Sequence, residues 1–101
     1  MRILARLLFL MCLIQTARAA DVDTVNIFSN KMHRGYKCVV IKPSSYKEGT
    51  QHYPVVYLLH GAGGNYGNWV NNVPVVKELA DAYQCMIVCP DGAVTSWYFD
   101  S

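Results

Sequence analysis

Residues 54–69 read PVVYLLHGAGGNYGNW. Six residues, PVVYLL, form a near-continuous apolar run of the kind expected from a strand covered on both faces of a parallel sheet. The run stops at His60-Gly61, and three more glycines stand at 63, 64 and 67. Glycine tolerates positive φ and close backbone approach, so a loop built this way can aim peptide N–H groups into a cleft. The residues beyond the loop settle the fold class. Val73, Val76, Leu79, Ala80 and Tyr83 recur at intervals of three and four, one apolar helical stripe, with Asn72 read as its N-cap and Pro74 in its first turn. A short strand at 85–89, CMIVC, then leads into Pro90-Asp91-Gly92. Strand, loop, helix, strand is a βαβ unit, which makes parallel sheets with helices on their faces.

Working back toward the N-terminus, 22–29 (VDTVNIFS) and 36–42 (YKCVVIK) are rich in β-formers, with a polar glycine-bearing connection at 30–35. They read as an antiparallel pair ahead of the βαβ unit. The expected class is α/β. The expected sheet is incomplete, because two hairpin strands and one βαβ unit leave an edge without a partner. Residues 21–101 therefore read as the front part of a larger domain. No internal repeat or low-complexity segment interrupts them.

The first twenty residues, MRILARLLFLMCLIQTARAA, are set apart from the fold. Arg2 and Arg6 give a basic start, residues 7–14 are apolar, and Ala17-Arg18-Ala19 supplies the small-x-small pattern of a signal-peptidase site. Eight apolar residues are far short of the roughly 20 that span a bilayer. The expectation is a cleaved signal peptide over 1–20, a secreted or periplasmic product and no membrane anchor. A lipoprotein signal is disfavoured, because bulky Met11 precedes Cys12 where lipid-modified leaders carry a small residue.

The leader also holds three of the nine basic residues of the 101-residue chain. Without them six basic residues face seven acidic ones, so the net charge moves from +2 to about −1. That balance gives no reason to expect nucleic acid or an anionic membrane as partner. Three cysteines remain past the leader. Cys85 and Cys89 lie about 13 Å apart along one strand, beyond the roughly 7 Å that a disulfide bridges. Cys38 could pair with either if their strands are neighbours, although buried free thiols are the simpler expectation. The C-x-x-C spacing of a zinc site is absent, and neither phosphate-loop pattern fits Gly61-Ala62-Gly63-Gly64-Asn65-Tyr66-Gly67.

LLHG-x-G-G-N-x-x-x-W, with a helix, CMIVCPDG and SWYFDS after it, resembles the esterase-D-like branch of the α/β-hydrolase fold. That branch includes feruloyl, acetyl and tributyrin esterases, S-formylglutathione hydrolases and mycolyl-transferring antigens. The resemblance runs over nearly all of residues 22–101. It implies a serine carboxylic-ester hydrolase working through an acyl-enzyme on short acyl or aryl esters, carbohydrate-linked ones among them, without metal or organic cofactor. It assigns the Ala62 backbone N–H to the oxyanion hole, loop shape to Gly61, Gly63 and Gly64, and the substrate cleft to Trp97, Tyr98 and Asp100. It places His60 beneath the oxyanion loop as a structural hydrogen-bonding residue; Trp69, like most tryptophans, is expected to pack and not to contact ligand.

The family's nucleophile lies on a G-x-S-x-G elbow, with acid and His later in the chain. Ser29, Ser44, Ser45, Ser96 and Ser101 all lack glycines two residues away on both sides, and His33 and His52 fall in early polar turns. Nucleophile, acid and base are therefore expected outside these 101 residues, which by themselves should be inactive. Two other functions stay open: an acyltransferase of the same family, and a non-catalytic carbohydrate-binding or interaction fragment.

Overall fold

The computed structural model describes residue 3, residues 19–94 and residue 98. Strand β1 (Asp21–Ser29) and strand β2 (Arg34–Lys42) pair antiparallel from Asp21 opposite Lys42 to Ser29 opposite Arg34. Strand β3 (Val55–Tyr57) leads through the glycine-rich loop to helix α1 (Asn68–Asn72) and helix α2 (Val75–Tyr83). Strand β4 (Met86–Pro90) then returns beside β3, parallel to it, and antiparallel to β2. The sheet order is β1-β2-β4-β3. The α/β class and the antiparallel pair ahead of a βαβ unit are both present. The leader lies almost wholly outside the described residues. Among the described residues no helix is long and apolar enough to cross a membrane.

Alternation along the strands decides which face packs. Val39 and Ile41 of β2 lie opposite Cys89 and Ile87 of β4. Together with Cys85, and with Val76 and Ala80 from α2, they form the buried core on one face of the sheet. The helix therefore buries a narrow i, i+4 stripe, while Val73, Leu79 and Tyr83 of the expected stripe are exposed. Cys38 lies opposite Pro90, so its thiol faces away from the side that carries Cys89. The two strands are neighbours, yet Cys38, Cys85 and Cys89 are all free and buried.

Three local expectations are corrected. Asn72 closes α1 instead of capping α2, and Pro74 itself stands at the N-cap of α2 without any side-chain cap. Its ring presets a helical φ of −59°, and Val76 and Lys77 donate to Val73 and Pro74 in i→i−3 turns that start the helix. Second, α1 was not expected: with five residues, it is too short for a periodic apolar pattern. Third, β3 is not covered. Val55, Val56 and Tyr57 are 45, 43 and 67% exposed, because β3 is the edge strand and among the described residues no element lies beyond it. Its ladder to β4 does extend past the three strand residues, through Met86 N–H to Pro54 O and Leu58 N–H to Val88 O, both 2.9 Å.

A Schellman-type end turns α2 back into the sheet. Gln84 is left-handed (φ 48°, ψ 55°), and the Cys85 N–H donates to Ala80 O at 3.1 Å. The parallel pairing of β3 with β4 has one consequence for function. The chain leaves both strands at the same end of the sheet, so the 58–67 loop and the 91–94 loop meet there.

Candidate active-site loop

His60 joins the two loops. It is 8% exposed, the one buried polar residue among the described core positions. Its Nε2 accepts the Gly92 N–H at 2.9 Å, and its Nδ1 lies 2.8 Å from the Gly61 carbonyl oxygen. These partners select the neutral tautomer with the proton on Nδ1, because Nε2 must offer a lone pair to Gly92. The Asp91 Oδ1, 3.4 Å from Nε2, is occupied instead by the Ala93 N–H at 2.8 Å. Both ring nitrogens of His60 are thus committed to backbone groups. This agrees with the structural reading of that residue and leaves no lone pair for abstracting a proton.

The peptide units around His60 are held in turn. Leu59 O accepts the Trp69 indole N–H at 3.0 Å, which ties the loop to α1. The His60 N–H donates to the Tyr98 hydroxyl at 2.7 Å, and that hydroxyl donates to the His60 carbonyl at 3.3 Å. Gly61 O takes a second donor, the Gly64 N–H, at 3.1 Å. Gly63 N–H reaches across to Val94 O at 3.1 Å. Asn65 then turns the chain into α1: its Oδ1 accepts from Gly67 N–H at 2.8 Å and its carbonyl from Asn68 N–H at 3.2 Å.

Among the described residues the Ala62 N–H makes no hydrogen bond, and Ala62 is exposed. Its direction is nevertheless determined. A trans peptide is planar, with N–H and C=O pointing opposite ways. Two donors hold Gly61 O, so the Ala62 N–H of the same unit is aimed away from the His60 ring.

The three loop glycines differ. Gly63 has φ +76° and needs glycine for that reason. At Gly64 a Cβ would fall on the Asn68 side-chain amide, and within 3.0 Å of both Gly61 O and His60 Nδ1. Gly61 has neither constraint: its φ is not left-handed, and a Cβ there meets nothing within 4 Å among the described residues. The shaping role expected of Gly61 finds no support in this geometry.

Of the residues expected to line the cleft, Trp97 and Asp100 lie outside the described residues. Tyr98 is described, with φ 60°. Its ring packs tilted on His60 with centroids 5.3 Å apart, and a Cβ on Gly92 would run into it. Tyr98 also borders a cleft of about 350 Å³, together with Ile27, Tyr36, Cys38 and Asp91. Burial pushes its hydroxyl pKa up, the His60 backbone bond works against that, and Asp91 and Cys89 add to the rise. The hydroxyl therefore stays protonated and can both donate and accept. Reading the sequence missed Gly92 as the donor to His60; the only signal was the Pro90-Asp91-Gly92 turn after β4. None of the described serines is hydrogen-bonded to a histidine; Ser29 Oγ, for one, accepts the Met32 N–H at 3.2 Å.

Comparison with known proteins adds to this geometry. The family model described as "Putative esterase" matches residues 29–100. Esterase Rv1288 of Mycobacterium tuberculosis (strain ATCC 25618 / H37Rv) is 32% identical over 59 residues, which is 58% of this chain and 13% of that protein. Among solved structures, a ferulic acid esterase superposes with TM-score 0.65 at 26% identity, covering 77% of this chain and 32% of its own. An S-formylglutathione hydrolase from Agrobacterium tumefaciens superposes with TM-score 0.62 at 23% identity, over 76% of this chain and 27% of its own, a likeness of fold. The chain thus spans about a third or less of the proteins it matches.

Proposed function

The chain belongs to this esterase family, and on that premise we propose that the complete gene product is a secreted serine carboxylic-ester hydrolase whose oxyanion hole takes one donor from Ala62. A serine hydroxyl supplied from outside residues 1–101 attacks the ester carbonyl carbon, and a histidine, also from outside, takes its proton. The carbonyl π electrons move onto oxygen, which becomes the oxyanion. Collapse of that tetrahedral intermediate expels the alcohol, protonated by the same histidine, and leaves an acyl-serine. Water then attacks the acyl-serine by the reverse sequence and releases the acid. The Ala62 N–H donates to the oxyanion in both halves of the cycle. Preorganised donors of this kind contribute about 2.7–4 kcal/mol each.

One observation carries this reading: among the described residues the Ala62 N–H, beyond the carboxyl end of β3, stands without a partner, while the carbonyl of its own peptide unit, Gly61 O, is held by His60 Nδ1 and by the Gly64 N–H. A loop that satisfied its own amides would be ordinary connection. Here the peptide carbonyl behind Ala62 has two donors and the N–H in front has none, which is how an anion-binding amide is prepared. The ferulic acid esterase neighbour supports aryl acyl esters as substrates, and the leader supports export.

The test is to express the complete gene product with its leader, recover it from the medium, and assay p-nitrophenyl acetate and methyl ferulate with and without a fluorophosphonate. Hydrolysis abolished by the fluorophosphonate is the expected result. Sugar binding without turnover would replace this reading with a binding role.

A further inference from the structure

The aim of the Ala62 N–H depends on the peptide units before it, and one side chain grips two of them. The Leu59–His60 unit is held at its oxygen by Trp69 and at its N–H by the Tyr98 hydroxyl. The His60–Gly61 unit is held at its oxygen by the same hydroxyl. Tyr98 thereby brackets the His60 backbone from both sides, while its ring lies against the His60 imidazole. That imidazole, anchored through Gly92, in turn holds Gly61 O. We propose that Tyr98 is a positioning residue for the oxyanion loop: its hydroxyl clamps the His60 backbone and so sets the direction in which Ala62 presents its N–H.

This inference rests on the hydrolase reading for its functional meaning and on the hydrogen bonds alone for its mechanics. It changes the role expected for Tyr98, from lining the substrate cleft to acting through His60. A hydroxyl that accepts from one backbone N–H and donates to one carbonyl has spent its proton on the loop, and it offers substrate only its remaining lone pair. The close approach of the Tyr98 ring to Gly92 explains why a glycine stands there: any side chain would displace the clamp.

In the complete gene product, Tyr98→Phe keeps the ring and deletes the clamp. A mis-aimed oxyanion donor lowers kcat, and we expect a fall of about 10- to 100-fold with KM within about twofold of wild type. Gly92→Ala pushes the ring aside from the other direction and should show the same split. A rise in KM at unchanged kcat would make Tyr98 a substrate contact and overturn the proposal, as would no change in either constant. Amide hydrogen exchange supplies the second readout. The His60 amide should be protected in wild type and lose at least tenfold of that protection in Tyr98→Phe, with the Ala62 amide resonance shifting. If wild type hydrolyses no ester but this loss is seen, the clamp stands and the hydrolase reading falls. If the His60 amide exchanges equally in both proteins, the clamp falls whatever the activity.

Discussion

The glycine loop permits one substitution to be made three times, with three outcomes set by geometry. Alanine at Gly63 must adopt φ +76°, a left-handed conformation that costs an L-residue roughly 1–2 kcal/mol. Alanine at Gly64 retains an allowed φ, but its Cβ would fall on the Asn68 amide and sit 3.0 Å from Gly61 O and His60 Nδ1. The Asn68 side chain can rotate away. The other two atoms are the ends of the 2.8 Å bond that orients Gly61 O, and both must shift by a few tenths of an ångström, which disturbs that bond. Weakening one bond to a buried histidine costs about 1–3 kcal/mol. Alanine at Gly61 meets nothing and needs no special φ, so its cost is close to zero; the stiffer unfolded chain even favours folding by about 0.4–1 kcal/mol. Urea unfolding of the complete gene product, read at constant slope, measures all three. The expected ranking puts Gly64→Ala and Gly63→Ala well below wild type and Gly61→Ala level with it or above. Equal losses at Gly61 and Gly63 would mean that the loop's path is not the one these bonds define.

Two further outcomes test the surrounding structure. His60→Asn removes the Nε2 that accepts the buried Gly92 N–H, which should lower stability by about 1–3 kcal/mol and reduce kcat, yet leave the acidic limb of the pH–rate profile in place. Loss of that limb would make His60 the general base. Burial pushes the Cys89 thiol up to about 11 from 9.0, with Cys38 adding to the rise. The folded state therefore holds the Cys89 proton longer than the unfolded chain does, so stability is intact below about pH 9 and falls by roughly 2–3 kcal/mol as pH rises through 11. Cys89→Val should flatten that part of the curve of urea midpoint against pH; an unchanged slope would show that Cys89 does not titrate there.

Local chemistry was legible residue by residue. The Pro54–Leu59 run, the stripe on α2 and the β-formers of β1 and β2 each bury or extend through their own composition, so α/β order could be read in one dimension. Family-level identity was legible for the same reason, since the His60-Gly61 loop and Pro90-Asp91-Gly92 are contiguous motifs. Helix α1 was not legible, because five residues show no period. Nor were the unequal duties of the glycines, since a glycine's φ is chosen by the path of the chain and leaves no mark in its identity.

The order of residues alone carries the fold class, the antiparallel β1–β2 pair and the position of the loop whose amides can turn outward. Each arises from interactions among residues close in the chain. The duties of those residues come from contacts between distant segments. His60 Nε2 meets an N–H donor 32 residues away, and Tyr98 reaches the His60 backbone from 38 residues away. Only the parallel return of β4 beside β3 brings those partners to one end of the sheet. A histidine and a glycine loop thereby become a held carbonyl and an aimed N–H, because peptide planarity converts a fixed acceptor into a directed donor.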